Sequence, residues 1–111
     1  NNVARSLALA TALVDMKMVL AAPLGYEFDA AFVGKLKTHA PHIQLTQTAD
    51  PRAAVARADV IYTDVWASMG QEAELDKRKQ AFAPYQVNAQ LLAAAPAHAR
   101  FMHCLPARRN Q

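Results

Sequence analysis

Glycine is scarce in this 111-residue chain: Gly25, Gly34 and Gly70 are the only three. None is spaced as a phosphate cradle, which excludes a G-x-G-x-x-G dinucleotide fingerprint and disfavours a nicotinamide dehydrogenase. Cysteine is scarcer still. Cys104 alone rules out an internal disulfide and fits a reducing cytosol, so a cytoplasmic protein is expected. Aromatic residues are only 7%, and the abundant alanines suit helices packed closely on a sheet. No apolar run approaches the ~20 residues of a membrane span, and the amino terminus lacks the basic, apolar, small-residue order of a signal peptide. No membrane partner is expected. An excess of one charge is also missing, with 12 Lys and Arg against 9 Asp and Glu and a net charge of +3. The run Lys77-Arg78-Lys79 is set against Glu72, Glu74 and Asp76. A solvated helix face explains it better than a nucleic-acid site, so no nucleic acid is expected. His39, His42 and His98 lie in segments that do not converge on Cys104, and adjacent His103 and Cys104 seldom hold one metal. No metal and no cofactor is expected.

What the chain does have is a core-forming composition, 53% hydrophobic against 19% charged, at a length that allows one domain at most. Asn2 can cap a helix from about Val3 to Val14. Lys17 to Ala22 is a short apolar strand ended by Pro23 and Gly25. Glu27 to His39 carries Phe28, Phe32, Val33 and Leu36 at helical spacing. Ile43 to Thr46 alternates as a less buried strand. Asp50-Pro51 opens a short helix to Arg57, with acid at the cap and proline at the first position. Asp59 to Thr63 is a third strand, Glu72 to Ala81 a charged helix, and Pro84 to Val87 a connector. Asn88 caps a last helix through Ala94, and Arg100 to His103 is a fourth strand. Strands alternating with helices imply a parallel sheet. The expected fold is α/β, a doubly wound, Rossmann-like parallel sheet flanked by helices, in one domain over residues 1–111.

The third strand runs into Asp64-Val65-Trp66-Ala67-Ser68-Met69-Gly70-Gln71-Glu72. In open α/β sheets ligands bind outside the carboxyl ends of strands. A turn reading also stands: Asp64 and Ser68 as caps, Trp66 and Met69 as core. In such a sheet Asp64, Ser68, Met69 and Cys104 share one edge because each follows a strand, and Asn2 joins them if a strand precedes it. A thiol at a strand end, beside a basic residue and near helix amino termini, can be partly thiolate; a buried, inert cysteine is the alternative. His103 and Cys104 do not read as a catalytic pair, since adjacent strand residues point to opposite faces. Asn1-Asn2 enters a helical pattern with no preceding element, and Arg109-Asn110-Gln111 stops just after a motif. A piece of a longer protein is expected.

Three of these segments, Asn1-Asn2, the stretch Asp64 to Glu72, and His103-Cys104-Leu105-Pro106, resemble the signature motifs of the ornithine carbamoyltransferases. Pro23-Leu24-Gly25-Tyr26-Glu27 and Tyr85-Gln86-Val87 fall where that family has similar segments, so the resemblance covers essentially the whole chain. It implies an ornithine-binding domain that is inactive alone. The main carbamoyl-phosphate site would lie in an amino-terminal half outside these residues, and a further phosphate-binding arginine beyond the carboxyl end. The implied ornithine contacts are Asn2 for the α-carboxylate or amino group, Asp64 for the α-ammonium, and Ser68 and Met69. Cys104 would sit beside the δ-amine as proton acceptor. Leu105 would offer its carbonyl to the carbamoyl group, so that Cys104 and Leu105 also line carbamoyl phosphate. The implied reaction carries the carbamoyl group to the δ-amine of L-ornithine, giving citrulline and phosphate in arginine metabolism, in a homotrimer without cofactor. Chemically, the δ-amine must shed a proton to become a nucleophile, and a zwitterionic head group needs a carboxylate and amide donors. Arg108-Arg109-Asn110 is more similar to relatives acting on acylated ornithines, and Asp15 stands where a small residue is common. The Ser68-Met69-Gly70 loop resembles the free-ornithine enzymes. The alternatives are a carbamoyltransferase for an acylated ornithine or another amino acid, and a non-catalytic amino-acid-binding module.

Overall fold

The computed structural model describes residues 2–67 and 70–111, and of Glu72 only the backbone. Asn1, Ser68 and Met69 therefore lie outside the described residues. The chain divides into two compact units, Asn1–Ala49 and Asp50–Gln111, which are taken one at a time.

In the first unit the elements are α1 (Asn2–Leu13), β1 (Lys17–Ala21), α2 (Ala30–His39) and β2 (Gln44–Thr48). β1 and β2 pair in parallel from Lys17↔Gln44 to Ala21↔Thr48. A parallel pair needs a crossover, and α2 supplies it. Strand side chains alternate between faces, so Met18, Leu20 and Leu45 share one face. There they pack with Ala8 of α1 and with Phe32, Val33 and Leu36 of α2. Burying a leucine such as Leu36 contributes roughly 1.5–3 kcal/mol.

Two helix ends depart from the sequence-based boundaries. α1 begins at Asn2 instead of being capped by it. α2 begins at Ala30, not Glu27, because Asp29 is its cap and accepts from the Phe32 amide at 2.7 Å. The Phe28 amide meanwhile donates to Gln47 Oε1 of β2 at 2.8 Å, a long-range bond that holds it out of the helix. At the other end of α1, Asp15 takes a left-handed backbone, φ 56°. The Met16 amide reaches back to Thr11 O at 2.9 Å and the Asp15 amide to Ala12 O at 3.5 Å. This is the Schellman pattern, with aspartate where glycine is usual.

The second unit holds α3 (Pro51–Val55), β3 (Val60–Thr63), α4 (Leu75–Phe82), α5 (Ala89–Ala93) and β4 (Arg100–His103), with single 3₁₀ turns flanking α4. Asp50 Oδ1 caps α3 by accepting from Arg52 N at 2.9 Å and Ala53 N at 3.3 Å. Asn88 Oδ1 caps α5 through Leu91 N at 2.9 Å. β3 and β4 pair in parallel. Ile61 packs on Val55 and Leu91, so α3 and α5 cover that face. Each unit is thus α/β with a parallel strand pair carrying helices, and the pairing found is two two-stranded sheets. Among the described residues no helix is long and apolar enough to cross a membrane.

Candidate functional site

The register of the β3–β4 pair locates the site. Its rungs are Val60↔Arg100, Ile61↔Phe101, Tyr62↔Met102 and Thr63↔His103, a constant offset of 40 residues. Carried one rung beyond the ladder, that offset sets Asp64 against Cys104. Side chains alternate, so Tyr62, Asp64, Met102 and Cys104 share a face, opposite the face on which Ile61 is buried. The contact is made: Cys104 Sγ donates to Asp64 Oδ1 at 2.9 Å. The same oxygen accepts from the Val65 amide at 2.7 Å, which aims the carboxylate across to β4. Asp64 and Cys104 are both half-buried.

This geometry decides the state of the thiol. Burial first, then the hydrogen bond and charge of Asp64, push the Cys104 thiol above its ordinary pKa; the Tyr62 hydroxyl and the backbone at Cys104 pull the other way. The expected partial thiolate gives way to a neutral thiol, because the sulfur is partly buried and its neighbouring carboxylate holds the proton on it. His103 does not oppose it: His103 Nδ1 lies against the Cys104 carbonyl, not the sulfur, and its ring meets Phe101 at 6.4 Å on its own face. His103 and Cys104 diverge as strand alternation requires. The thiol proton is directed at the Asp64 carboxylate.

The loop after Asp64 is held from one side by α4. Trp66 stacks on Phe82 with ring centroids 6.3 Å apart, and Ala67 is 2% exposed. Arg78 donates through Nη1 to the Trp66 carbonyl at 3.4 Å and through Nε to Glu74 at 3.1 Å. Its side chain is 18% exposed, while Lys77 and Lys79 are exposed. The basic run is therefore not a uniformly solvated face; its middle member clamps the loop. Gly70 resumes the described chain at φ 87°, a region where glycine carries no Cβ penalty.

Of the residues singled out in the sequence, the structure brings Asp64 and Cys104 together. Leu105 follows, 86% exposed, and its bond to Pro106 is cis. Asn2 opens α1 in the first unit and is exposed. Ser68 and Met69 are outside the described residues. The sequence gives Tyr62 no more than a place in the third strand, 59–63. One sequence signal points to it, its position two residues before Asp64 on the same strand face; that this face meets Cys104 is seen only in the strand register. Among the described residues no three His, Cys, Asp or Glu side chains gather as a metal site.

Comparison with known proteins gives this architecture a family. Residues 1–111 match the model of the aspartate/ornithine carbamoyltransferase Asp/Orn binding domain. An ornithine carbamoyltransferase of Anoxybacillus flavithermus is 50% identical across 100% of this chain and 36% of that protein. That of Archaeoglobus fulgidus is 47% identical, again over 100% of this chain and 36% of its own length. Among solved structures, the ornithine carbamoyltransferase from Pyrococcus furiosus superposes with a TM-score of 0.83 at 45% identity, covering 96% of this chain and 34% of that one. The chain thus spans about a third of the length of the relatives it matches. The family model matches the whole chain and the relatives are close to 50% identical across it, so the chain belongs to the aspartate/ornithine carbamoyltransferase family, as an Asp/Orn binding domain.

Proposed function

We propose that residues 1–111 form the ornithine-binding domain of an ornithine carbamoyltransferase, a cytoplasmic homotrimer in its complete form, which carbamoylates the δ-amine of L-ornithine in arginine metabolism. The observation that carries this reading is the Cys104 thiol donating to Asp64 at 2.9 Å, at the carboxyl ends of two parallel strands.

The δ-amine arrives as an ammonium and cannot attack until it loses a proton. A thiol held above its ordinary pKa is a poor thiolate base, but it is a good relay. Sγ passes its proton to Asp64 and takes one from the δ-ammonium. The net change is a neutral amine and a protonated carboxyl, with the thiol restored. The amine lone pair then forms the new C–N bond as the bond from carbamoyl carbon to phosphate oxygen breaks, and phosphate leaves. The Asp64 charge also draws in the α-ammonium of the substrate. The motif resemblance assigns Asn2 to the α-carboxylate or amino group of ornithine, Ser68 and Met69 to the same substrate, and Cys104 and Leu105 to carbamoyl phosphate.

The test is citrulline formation from carbamoyl phosphate and ornithine. The full-length protein should catalyse it and prefer ornithine to N-acetylornithine, and the isolated 111 residues should not catalyse it, because the main phosphate site is assigned to another domain. Citrulline production by the isolated chain would overturn that division of the site.

A further inference from the structure

Cys104 has a second neighbour on the strand face it shares with Asp64. Tyr62 pairs with Met102, and Asp64 and Cys104 each stand two residues farther along the paired strands. Same-face residues on neighbouring strands, one pleat apart, are within reach of an aromatic side chain. Tyr62 is half-buried, on the face opposite buried Ile61. We propose that Tyr62 is a positioning residue for the Cys104 thiol: its hydroxyl donates to Sγ and leaves the sulfur's own proton directed at Asp64.

A thiol has one proton and can rotate it among several directions; a donor on the sulfur removes the direction it occupies. Sγ then stands between a donor and an acceptor, Tyr62 behind it and Asp64 ahead. The directions in which the two pKa values are displaced agree with the geometry. Burial and then the Cys104 contact raise the Tyr62 hydroxyl, so it stays protonated and able to donate. The Tyr62 hydroxyl, together with the backbone at Cys104, opposes the upward push on the thiol. When the sulfur transiently carries charge in the proton relay, the hydroxyl that oriented it is already aimed to stabilise it. The assignment rests on the relay role of Cys104 proposed above and adds a residue to it.

The experiment uses the full-length protein and measures iodoacetamide alkylation of Cys104 against pH, without substrates, together with the pH profile of citrulline formation. Tyr62→Phe keeps the ring and loses only the donor. It should move the alkylation inflection up by about half to one pH unit, or about three- to tenfold slower labelling below it, the scale of an ordinary net hydrogen bond. Asp64→Asn should move the inflection the opposite way. The kcat profile of Tyr62→Phe should shift with its thiol titration while the KM for carbamoyl phosphate stays constant. An unchanged inflection in Tyr62→Phe overturns the hydrogen bond. A shifted inflection with an unshifted kcat profile overturns the positioning role. If Cys104→Ala proves fully active, the relay itself fails, and the Tyr62 titration still reports separately on the contact.

Discussion

Asp50 and Asp64 each follow a strand, and they do different things. Asp50, two residues beyond β2, gives Oδ1 to the amides of Arg52 and Ala53 and starts α3. Asp64, one residue beyond β3, gives Oδ1 to Val65 N and to the thiol of Cys104. The strand pairs that precede them share one parallel design. Where the first pair continues, it does so with backbone, Ala22 N donating to Thr48 O at 3.1 Å. Where the second continues, it does so with side chains. What distinguishes the two aspartates is what the register sets past the last rung, not the presence of a carboxylate after a strand.

That contrast can be broken most forcefully at Asp64. Asp64→Asn in the full-length protein should weaken ornithine binding by ~2–5 kcal/mol, the scale for leaving one partner of a desolvated charge pair unmatched. Titration calorimetry with ornithine reads this, and carbamoyl-phosphate affinity should barely move. Unaltered ornithine affinity would reduce Asp64 to a turn cap like Asp50.

The next effect lies across the ladder. Cys104→Ala should lower kcat by roughly 10²-fold, the lower range for a positioned proton-transfer group, with thermal unfolding little changed. The unmodified thiol carries its own pH signature. Its pKa is raised, so the neutral form persists to higher pH, and the thiolate is the form that alkylates. Labelling should therefore accelerate only above the range of an unperturbed cysteine, and bound ornithine should slow it further. Wild-type turnover in Cys104→Ala, or labelling indifferent to ornithine, would make the cysteine a packing residue.

The smallest effect is the control. Asp50→Ala removes a helix cap and should cost about 1 kcal/mol of stability by denaturant titration, leaving ornithine affinity untouched. A loss of ornithine binding there would erase the distinction between the two aspartates.

Much of this was legible in the residues, for identifiable reasons. β4 begins at Arg100 and ends at His103 as expected, and Asn88 and Asp50 cap as expected, because these signals are local. The errors sit where a distant partner decides. β2 runs from Gln44 to Thr48 instead of Ile43 to Thr46: Ile43 packs into the core, while Thr48 is kept in the ladder by β1. α2 loses its first expected turn to Gln47. The Asp64–Cys104 convergence was foreseen from both residues following strands. The role of Tyr62 needed the register, which no single segment encodes.

The 40-residue offset between β3 and β4 also separates two kinds of mutation that look alike in length. An added residue between the strands, at the exposed Ala83–Pro84 turn for example, lengthens a spacer and leaves both strand ends anchored; loop closure changes little with such an increment. A residue gained or lost within 100–104 slips the pairing by one, and a slip by one turns every side chain to the opposite face. Cys104 would then point toward α3 and α5, and its partner aspartate would face a different neighbour. Natural length variation in this domain should accordingly collect between the strands and stop at Arg100.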